Sequence, residues 1–189
     1  MKLLIASNNQ HKIEEIKAVL CGKFDDISTL NDENIDCAPE ENGQTFLENA
    51  LIKARAIAKH TDKVVLADDT GLCVNALGGR PGVHSARYAD DHNSTANRRK
   101  LLGELENATD RSAYFKTVVV LLYPDGKVVT GEGEVHGRIV EKEQGDNGFG
   151  YDSIFYSDEL GKTFAEATTT EKLTVSHRSR ALRDLFSKL

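Results

Sequence analysis

VVLADDTGL, residues 64–72, runs four apolar residues, Val64 to Ala67, into two adjacent carboxylates, Asp68 and Asp69, then Thr70 and Gly71. The apolar run reads as a buried strand. The two charges that end it have two readings. Asp and Gly are common turn residues, so a solvated turn accounts for them. Alternatively they form a metal or acid/base site at the carboxyl end of a strand, where open α/β sheets place ligands.

Outward from this stretch, the pattern is that of a mixed sheet covered by helices. KLLIA at the start is a short buried strand, followed by the polar loop SNNQHK. KIEEIKAVL carries Ile13, Ile16 and Leu20 at helical spacing, and TFLENALIKARAIAKH repeats it with Phe46, Ala50, Ala54 and Ile57. Beyond the aspartates, GLCVNALGGRPGVHSARYA has four glycines and a proline and reads mostly as loop. NRRKLLGELEN is helical. AYFKTVVVLLY and KVVTGEG read as two strands about a Pro124-Asp125-Gly126 turn, EVHGRIV as a third, and IFY as a short later strand. RALRDLFSKL closes the chain as an amphipathic helix, with Ala181, Leu182, Leu185 and Phe186 inward. No linker, repeat or low-complexity segment marks a boundary, so residues 1–189 read as a single domain.

Composition narrows the function. Cys21, Cys37 and Cys73 are odd in number and form no C-x-x-C pair, which argues against a disulfide scaffold or zinc ribbon and for a reducing, cytoplasmic setting. Leu3 to Ala6 is too short an apolar run for a signal segment or a membrane span. The net charge of −6 leaves no basic excess for a broad nucleic-acid footprint. An anionic ligand therefore needs cations gathered locally.

Four clusters supply candidates. Ser7-Asn8-Asn9-Gln10-His11-Lys12 lies between a strand and a helix, where free backbone N–H groups hold anions and where Asn8 or Asn9 equally serves as an N-cap. It is not a Walker A loop. Glu40 and Glu41 precede a helix and complement its dipole. With Asp68 and Asp69 they offer oxygen ligands for Mg²⁺, which needs only one or two carboxylates. GDNGFGYD, residues 145–152, offers close backbone approach and two flat faces, Phe149 and Tyr151, for a base to stack on; a tight turn with two core aromatics fits equally. Lys172, His177, Arg178 and Arg180 gather donors near the C-terminus. Ser176 beside His177 is no hydrolase triad, because no G-x-S-x-G elbow accompanies it.

Taken together and in this order, the clusters resemble the inosine triphosphate pyrophosphatase family. Its opening element corresponds to Ser7 to Lys12, its middle signature to ADDTGLCVNALGGRPGVHSARYA, its G-F-G-Y-D to Gly148–Asp152, and its late elements to Glu171-Lys172 and Ser176-His177-Arg178. Ser153 stands where the family usually has proline, and FAEATTTEKLTV departs from the usual F-A-E-L run.

The resemblance implies an elongated mixed α/β sheet with flanking helices, two lobes and a central cleft, usually as a homodimer. It implies Mg²⁺-dependent hydrolysis of deaminated purine nucleoside triphosphates, ITP, dITP and XTP, to the monophosphate and pyrophosphate. Asp69 is then the catalytic carboxylate and a metal ligand, with Asp68 the alternative base. Glu40 helps place Mg²⁺, with Glu41 the alternative. The stretch Ser7 to Lys12, with Thr70, holds the triphosphate. Phe149 stacks on the purine in a loop completed by Gly150 and Tyr151, and Asp152, Lys172, His177 and Arg178 line the base and sugar end, Arg178 donating to the 6-keto oxygen. Two rivals remain open: a purine-nucleotide sensor without hydrolysis, and a pyrimidine-directed pyrophosphatase of related fold.

Overall fold

The computed structural model describes residues 2–20 and 22–189; Cys21 lies outside them, while Cys37 and Cys73 are free thiols. The described strands are β1 (Lys2–Ile5), β2 (Asp26–Thr29), β3 (Val64–Val74), β4 (Ser112–Leu122), β5 (Val128–Ile139), β6 (Phe155–Ser157) and β7 (Lys162–Thr163). The helices are α1 (Gln10–Leu20), α2 (Phe46–Ile57), α3 (Ser94–Glu104), α4 (Thr169–Val175) and α5 (His177–Phe186). The strands form one mixed sheet in the order β2-β1-β3-β4-β5-β6-β7. β1 pairs parallel with β2 and β3, and β6 pairs antiparallel with β5 and β7.

Contacts divide the chain into two compact units: residues 1–69, 117–133 and 178–189 form the first, 70–116 and 134–177 the second. The first is a three-layer sandwich. Along β1 and β3 alternate side chains face opposite ways, as strand geometry requires. Leu3, Ile5, Val64 and Leu66 pack with Ile13, Ile16 and Leu20 of α1 and Ala181, Leu182 and Leu185 of α5. Leu4, Ala6, Val65 and Ala67 pack on the other face with Ala50, Ala54 and Ile57 of α2. These are the apolar stripes that the helical spacing marks out. The core of the second unit gathers Leu72, Val74, Leu101, Phe115, Val135, Tyr151, Phe155 and Phe164.

Three expectations require correction. β3 does not end at the aspartates but continues to Val74, because Leu72 and Val74 keep the alternation and are buried in the second unit. The aspartates therefore sit mid-strand, 1% and 6% exposed, and the solvated-turn reading fails. KVVTGEG and EVHGRI form one continuous strand, β5, rather than two. The last helix begins at His177, three residues earlier than its apolar pattern suggests. β2 has too short an apolar run to stand out from sequence.

One glycine sets how closely the last helix packs. A Cβ on Gly131 of β5 would fall 2.3 Å from the Ala181 carbonyl oxygen and 2.6 Å from the Leu185 nitrogen, both backbone atoms of α5. Gly131→Ala must push α5 off the strand, and overpacking of this kind costs ~1–3 kcal/mol. Urea denaturation is expected to show that loss; an unchanged midpoint would mean that α5 is not seated on β5 at this spacing.

Candidate active site

The first unit places its polar cluster where physics favours ligands. β1 leads through α1 to β2 on one side, while the chain returns through α2 to β3 on the other, so the order of connection reverses between β1 and β3. Ligands of open α/β sheets bind beyond the carboxyl ends of strands at such a switch point. Ser7 to Lys12 follows β1 directly, and Asp68 and Asp69 lie just past the Ile5–Leu66 register pair.

The loop after β1 is internally tied. The Asn9 N–H donates to Ser7 Oγ (3.2 Å), and Asn9 Oδ1 accepts from the Lys12 N–H (3.3 Å), so Asn9 caps α1. The Gln10 side chain donates to Glu14 on the same helix (3.1 Å). Asn8, Gln10 and His11 are exposed and Ser7 is half-buried. Lys12, one turn into α1, reaches Asp68 Oδ2 at 3.1 Å.

The two aspartates serve different surroundings because they face opposite sides of β3. Asp68 faces α1 and α5. Its Oδ2 takes Lys12 and both Nε and Nη2 of Arg178, each of the latter at 3.4 Å, and Arg178 Nη1 pairs with Glu15 of α1. Burial alone would raise the Asp68 pKa, but Lys12, Arg178 and Lys53 together hold it well below the usual carboxylate range. Asp69 faces α2, where its Oδ2 accepts from Asn49 Nδ2 at 3.1 Å. Here burial prevails over Lys53, Lys12 and the Asn49 hydrogen bond, Glu41 adds repulsion, and the pKa is raised. One strand thus carries a carboxylate whose ionised form is favoured next to one whose ionised form is disfavoured.

α2 supplies residues that the sequence reading did not single out. Its start is set by a capping box between Thr45 and Glu48. Asn49 then lies one turn before Lys53, on one face. Asn49 Oδ1 accepts from the Gly43 N–H (2.8 Å), tying the PEENG segment to the group that holds Asp69. Lys53 Nζ donates to the Asp68 carbonyl (2.9 Å) and pairs with Glu41 (3.2 Å). The signal was the polar Asn49–Lys53 pair interrupting the apolar face of TFLENALIKARAIAKH. Glu15 was equally legible only as a charged helix residue, yet it is buried against Arg178. Of the two candidate glutamates, Glu41 is half-buried and felt by Asp69, whereas Glu40 is exposed.

The second unit gathers the remaining candidates. Gly148 takes φ +76°, and a Cβ there would fall 2.1 Å from Asp152 Oδ2, so only glycine allows the turn. That oxygen accepts from the Phe149 N–H (2.9 Å) and from Lys172 Nζ (2.7 Å). Lys172, in the middle of a short helix opened by a Thr168–Glu171 capping box, lies 4.9 Å from the Phe149 ring centre and 5.3 Å from that of Phe164. Phe149 is half-buried. Tyr151 is instead a core aromatic whose hydroxyl donates to the Ser85 carbonyl (2.8 Å), which leaves Phe149 as the ring of this loop able to meet a ligand. His177 stacks on Phe115, with ring centres 4.7 Å apart. Asp152, Lys172 and His177 are thus together in the second unit, while Arg178 begins the last segment of the first and has its guanidinium engaged by Glu15 and Asp68.

A model of the Ham1 family matches residues 3–188. The chain belongs to the Ham1 family. It is 47% identical to the dITP/XTP pyrophosphatase of Leuconostoc mesenteroides, covering all of this chain and 96% of that one, and 45% identical to that of Clostridium perfringens, covering all and 97%. Among solved structures, the Staphylococcus aureus Ham1 protein superposes with a TM-score of 0.88 at 42% identity, covering 100% and 97% of the two chains. A Ham1 protein from Coxiella burnetii gives 0.89 at 36% identity, covering 100% and 98%. The Ham1 family is thus where both the motif order and the mixed, helix-flanked sheet lead.

The opposed aspartates predict opposed substitutions. The stabilisation from Asp68 is present above its unfolded pKa of ~3.9 and is lost only as pH falls through its depressed folded value. Ionising Asp69 costs stability between ~3.9 and its raised folded value, a cost still present at neutral pH. Asp68→Asn, which strips half-buried Lys12 and buried Arg178 of a partner, is expected to cost roughly 3 kcal/mol or more at pH 7. Asp69→Asn is expected to leave stability equal or higher. Urea denaturation of both variants checks this; equal losses would mean that the two carboxylates share one environment.

Proposed function

We propose that this chain hydrolyses deaminated purine nucleoside triphosphates, ITP, dITP and XTP, to the nucleoside monophosphate and pyrophosphate in a reaction that depends on Mg²⁺. The observation that carries the reading is the raised, buried carboxylate of Asp69 beside Lys12 and Lys53. A purely binding protein gains nothing from a carboxylate next to phosphates, whereas a hydrolase needs a base among cations. The names of the Leuconostoc and Clostridium relatives support the substrate class.

The triphosphate is assigned to the first unit. Ser7 to Lys12 presents backbone N–H groups at a helix start, with Thr70 following the aspartates, and Lys12 and Lys53 neutralise phosphate charge. Asp69 takes the proton of a water that attacks the α-phosphorus, and pyrophosphate leaves. Its raised pKa suits that role, since a base works best when its pKa approaches the operating pH. Asn49 holds the carboxylate in line. Asp68 keeps Lys12 and Arg178 charged and in place.

The chain's residues fit a magnesium site. Asp69 and Glu41 repel each other electrostatically and share the field of Lys53, the condition that a divalent cation relieves. Mg²⁺ asks for one or two carboxylates and fills its octahedron with water and phosphate oxygens. Glu41 suits the second ligand better than the exposed Glu40. When bound, the ion withdraws charge from the phosphates and lowers the pKa of a coordinated water.

The purine is assigned to the second unit, stacked on Phe149, with Asp152, Lys172 and His177 at its edge. Arg178, whose guanidinium is held by Glu15 and Asp68, and Lys172, held by Asp152, are the candidate donors to a 6-keto oxygen. The same reading includes a homodimer in the cytoplasm.

With Mg²⁺, ITP is expected to give IMP and pyrophosphate by chromatography; a diphosphate and single phosphate would mean attack at the γ-phosphorus and would overturn the geometry. GTP and UTP in parallel separate the enzyme from a pyrimidine-directed relative, and binding without turnover separates it from a sensor. Asp69→Asn is expected to lose ~10²–10⁴-fold or more in kcat, as removal of a general base does. Near-normal turnover by a folded variant would place the base elsewhere. Phe149→Ala is expected to raise KM for ITP and ATP about equally, because stacking, worth ~1–3 kcal/mol per base, does not read exocyclic groups. A change confined to ITP would make Phe149 a discriminating contact instead.

A further inference from the structure

The loop that carries Phe149 is held from inside by Asp152 and Lys172, and from outside by a residue with no part in the chemistry above. Arg98, in the middle of α3, donates from Nη1 to the Gly150 carbonyl at 2.8 Å. Its Nε stands 3.0 Å from Glu143 Oε2, as an ion pair rather than an aligned hydrogen bond. The same Glu143 oxygen accepts from Ser153 Oγ at 2.9 Å. The backbone closes the ring, since the Gln144 N–H donates to the Ser153 carbonyl at 2.8 Å. One guanidinium therefore grips the loop directly at Gly150 and, through Glu143, at Ser153. Against the burial that would raise it, Arg98 and Ser153 hold the Glu143 pKa below the ordinary carboxylate range, so the anion is present at neutral pH.

Two features make this grip consequential. Gly148 and Gly150 both have positive φ, +76° and +61°, so the backbone on either side of Phe149 is glycine, the residue with most freedom to lose on ordering. Gly150 has nothing within 4 Å of where a Cβ would stand, so no packing confines it on that side.

We propose that Arg98, acting through Gly150 and the Glu143–Ser153 link, is a positioning residue that holds the Phe149 loop in the conformation that stacks on the purine base. This rests on the assignment of the purine to Phe149. Arg98 touches no reacting atom; it reduces the ordering that binding must impose on a loop flanked by two glycines. Its loss therefore weakens every ligand that contains the base and leaves pyrophosphate, held by the first unit, untouched.

The test compares Arg98→Ala, Arg98→Lys, Ser153→Ala, Phe149→Ala and the Arg98→Ala/Phe149→Ala double variant. Arg98→Ala is expected to raise KM for ITP and the inhibition constant of IMP about threefold to tenfold, a fraction of a full stacking contribution, with kcat within about twofold. The inhibition constant of pyrophosphate is expected to stay the same, which general destabilisation would not allow. Arg98→Lys retains one donor and is expected to recover part of the effect; Ser153→Ala is expected to show a smaller rise in KM. In the Phe149→Ala background the Arg98 substitution is expected to add nothing, as two residues acting through one contact are not additive. If Phe149→Ala raises KM but Arg98→Ala does not, or if Arg98→Ala has its full effect without Phe149, the clamp is wrong. If Phe149→Ala itself leaves KM unchanged, the stacking assignment has failed first.

Discussion

Neighbouring side chains on a β-strand point to opposite faces, and this single constraint organises the first unit of the protein. Asp68 and Asp69 are adjacent in sequence and separated by the plane of the sheet. The layer containing α1 and α5 meets Asp68 with two cations, Lys12 and Arg178. The layer containing α2 meets Asp69 with an amide, Asn49, while Lys53 reaches the backbone between them. A charge buried without compensation is costly, so each aspartate takes the ionisation behaviour that its own layer allows. Asp68 becomes a fixed counter-ion, and Asp69 is left with its ionised form disfavoured by burial. The helices had to pack where they do for apolar reasons, and the alternation of Val64 to Ala67 between the two cores settles which carboxylate goes to which side.

The second unit solves a different problem by related means. The Phe149 ring is only half-buried, so the loop that carries it must be ordered by more than core packing. Asp152 does this by accepting from the Phe149 N–H and from Lys172 with one oxygen, in a turn that only glycine at 148 permits. Tyr151, next but one to Phe149, anchors the loop in the core and closes its hydroxyl on Ser85. Aromatic residues two apart thus divide between a core anchor and a half-buried ring. Arg98 adds a restraint from α3 to the same turn.

Membership of the Ham1 family joins these arrangements to nucleotide chemistry, and the electrostatics explain why the protein accepts a less stable site. Asp69, repelled by Glu41 and desolvated, is an unfavourable group in the folded chain. The rest of the fold must offset a cost of this kind. The apolar layers on either side of β1 and β3 supply that offset.

Much of this was legible from the chain. Helical spacing marked the inward faces of α1, α2 and α5, and the order of four polar clusters identified the family, because local pattern and motif order are properties of sequence. The extent of β3 was not, since the charges at Asp68 and Asp69 look like the end of a strand until their partners are known; Lys12, Arg178 and Asn49 lie 56, 110 and 20 residues away along the chain or nearly so. Nor was the buried role of Glu15, or the division of Phe149 from Tyr151, because each depends on what a distant segment brings alongside. Sequence by itself determined which residue types are present, their local periodicity and their family. Only the tertiary structure decided which carboxylate is favoured as its anion, which is not, and which aromatic is left half-buried, because burial and electrostatic fields are sums over groups that meet only when the chain has folded.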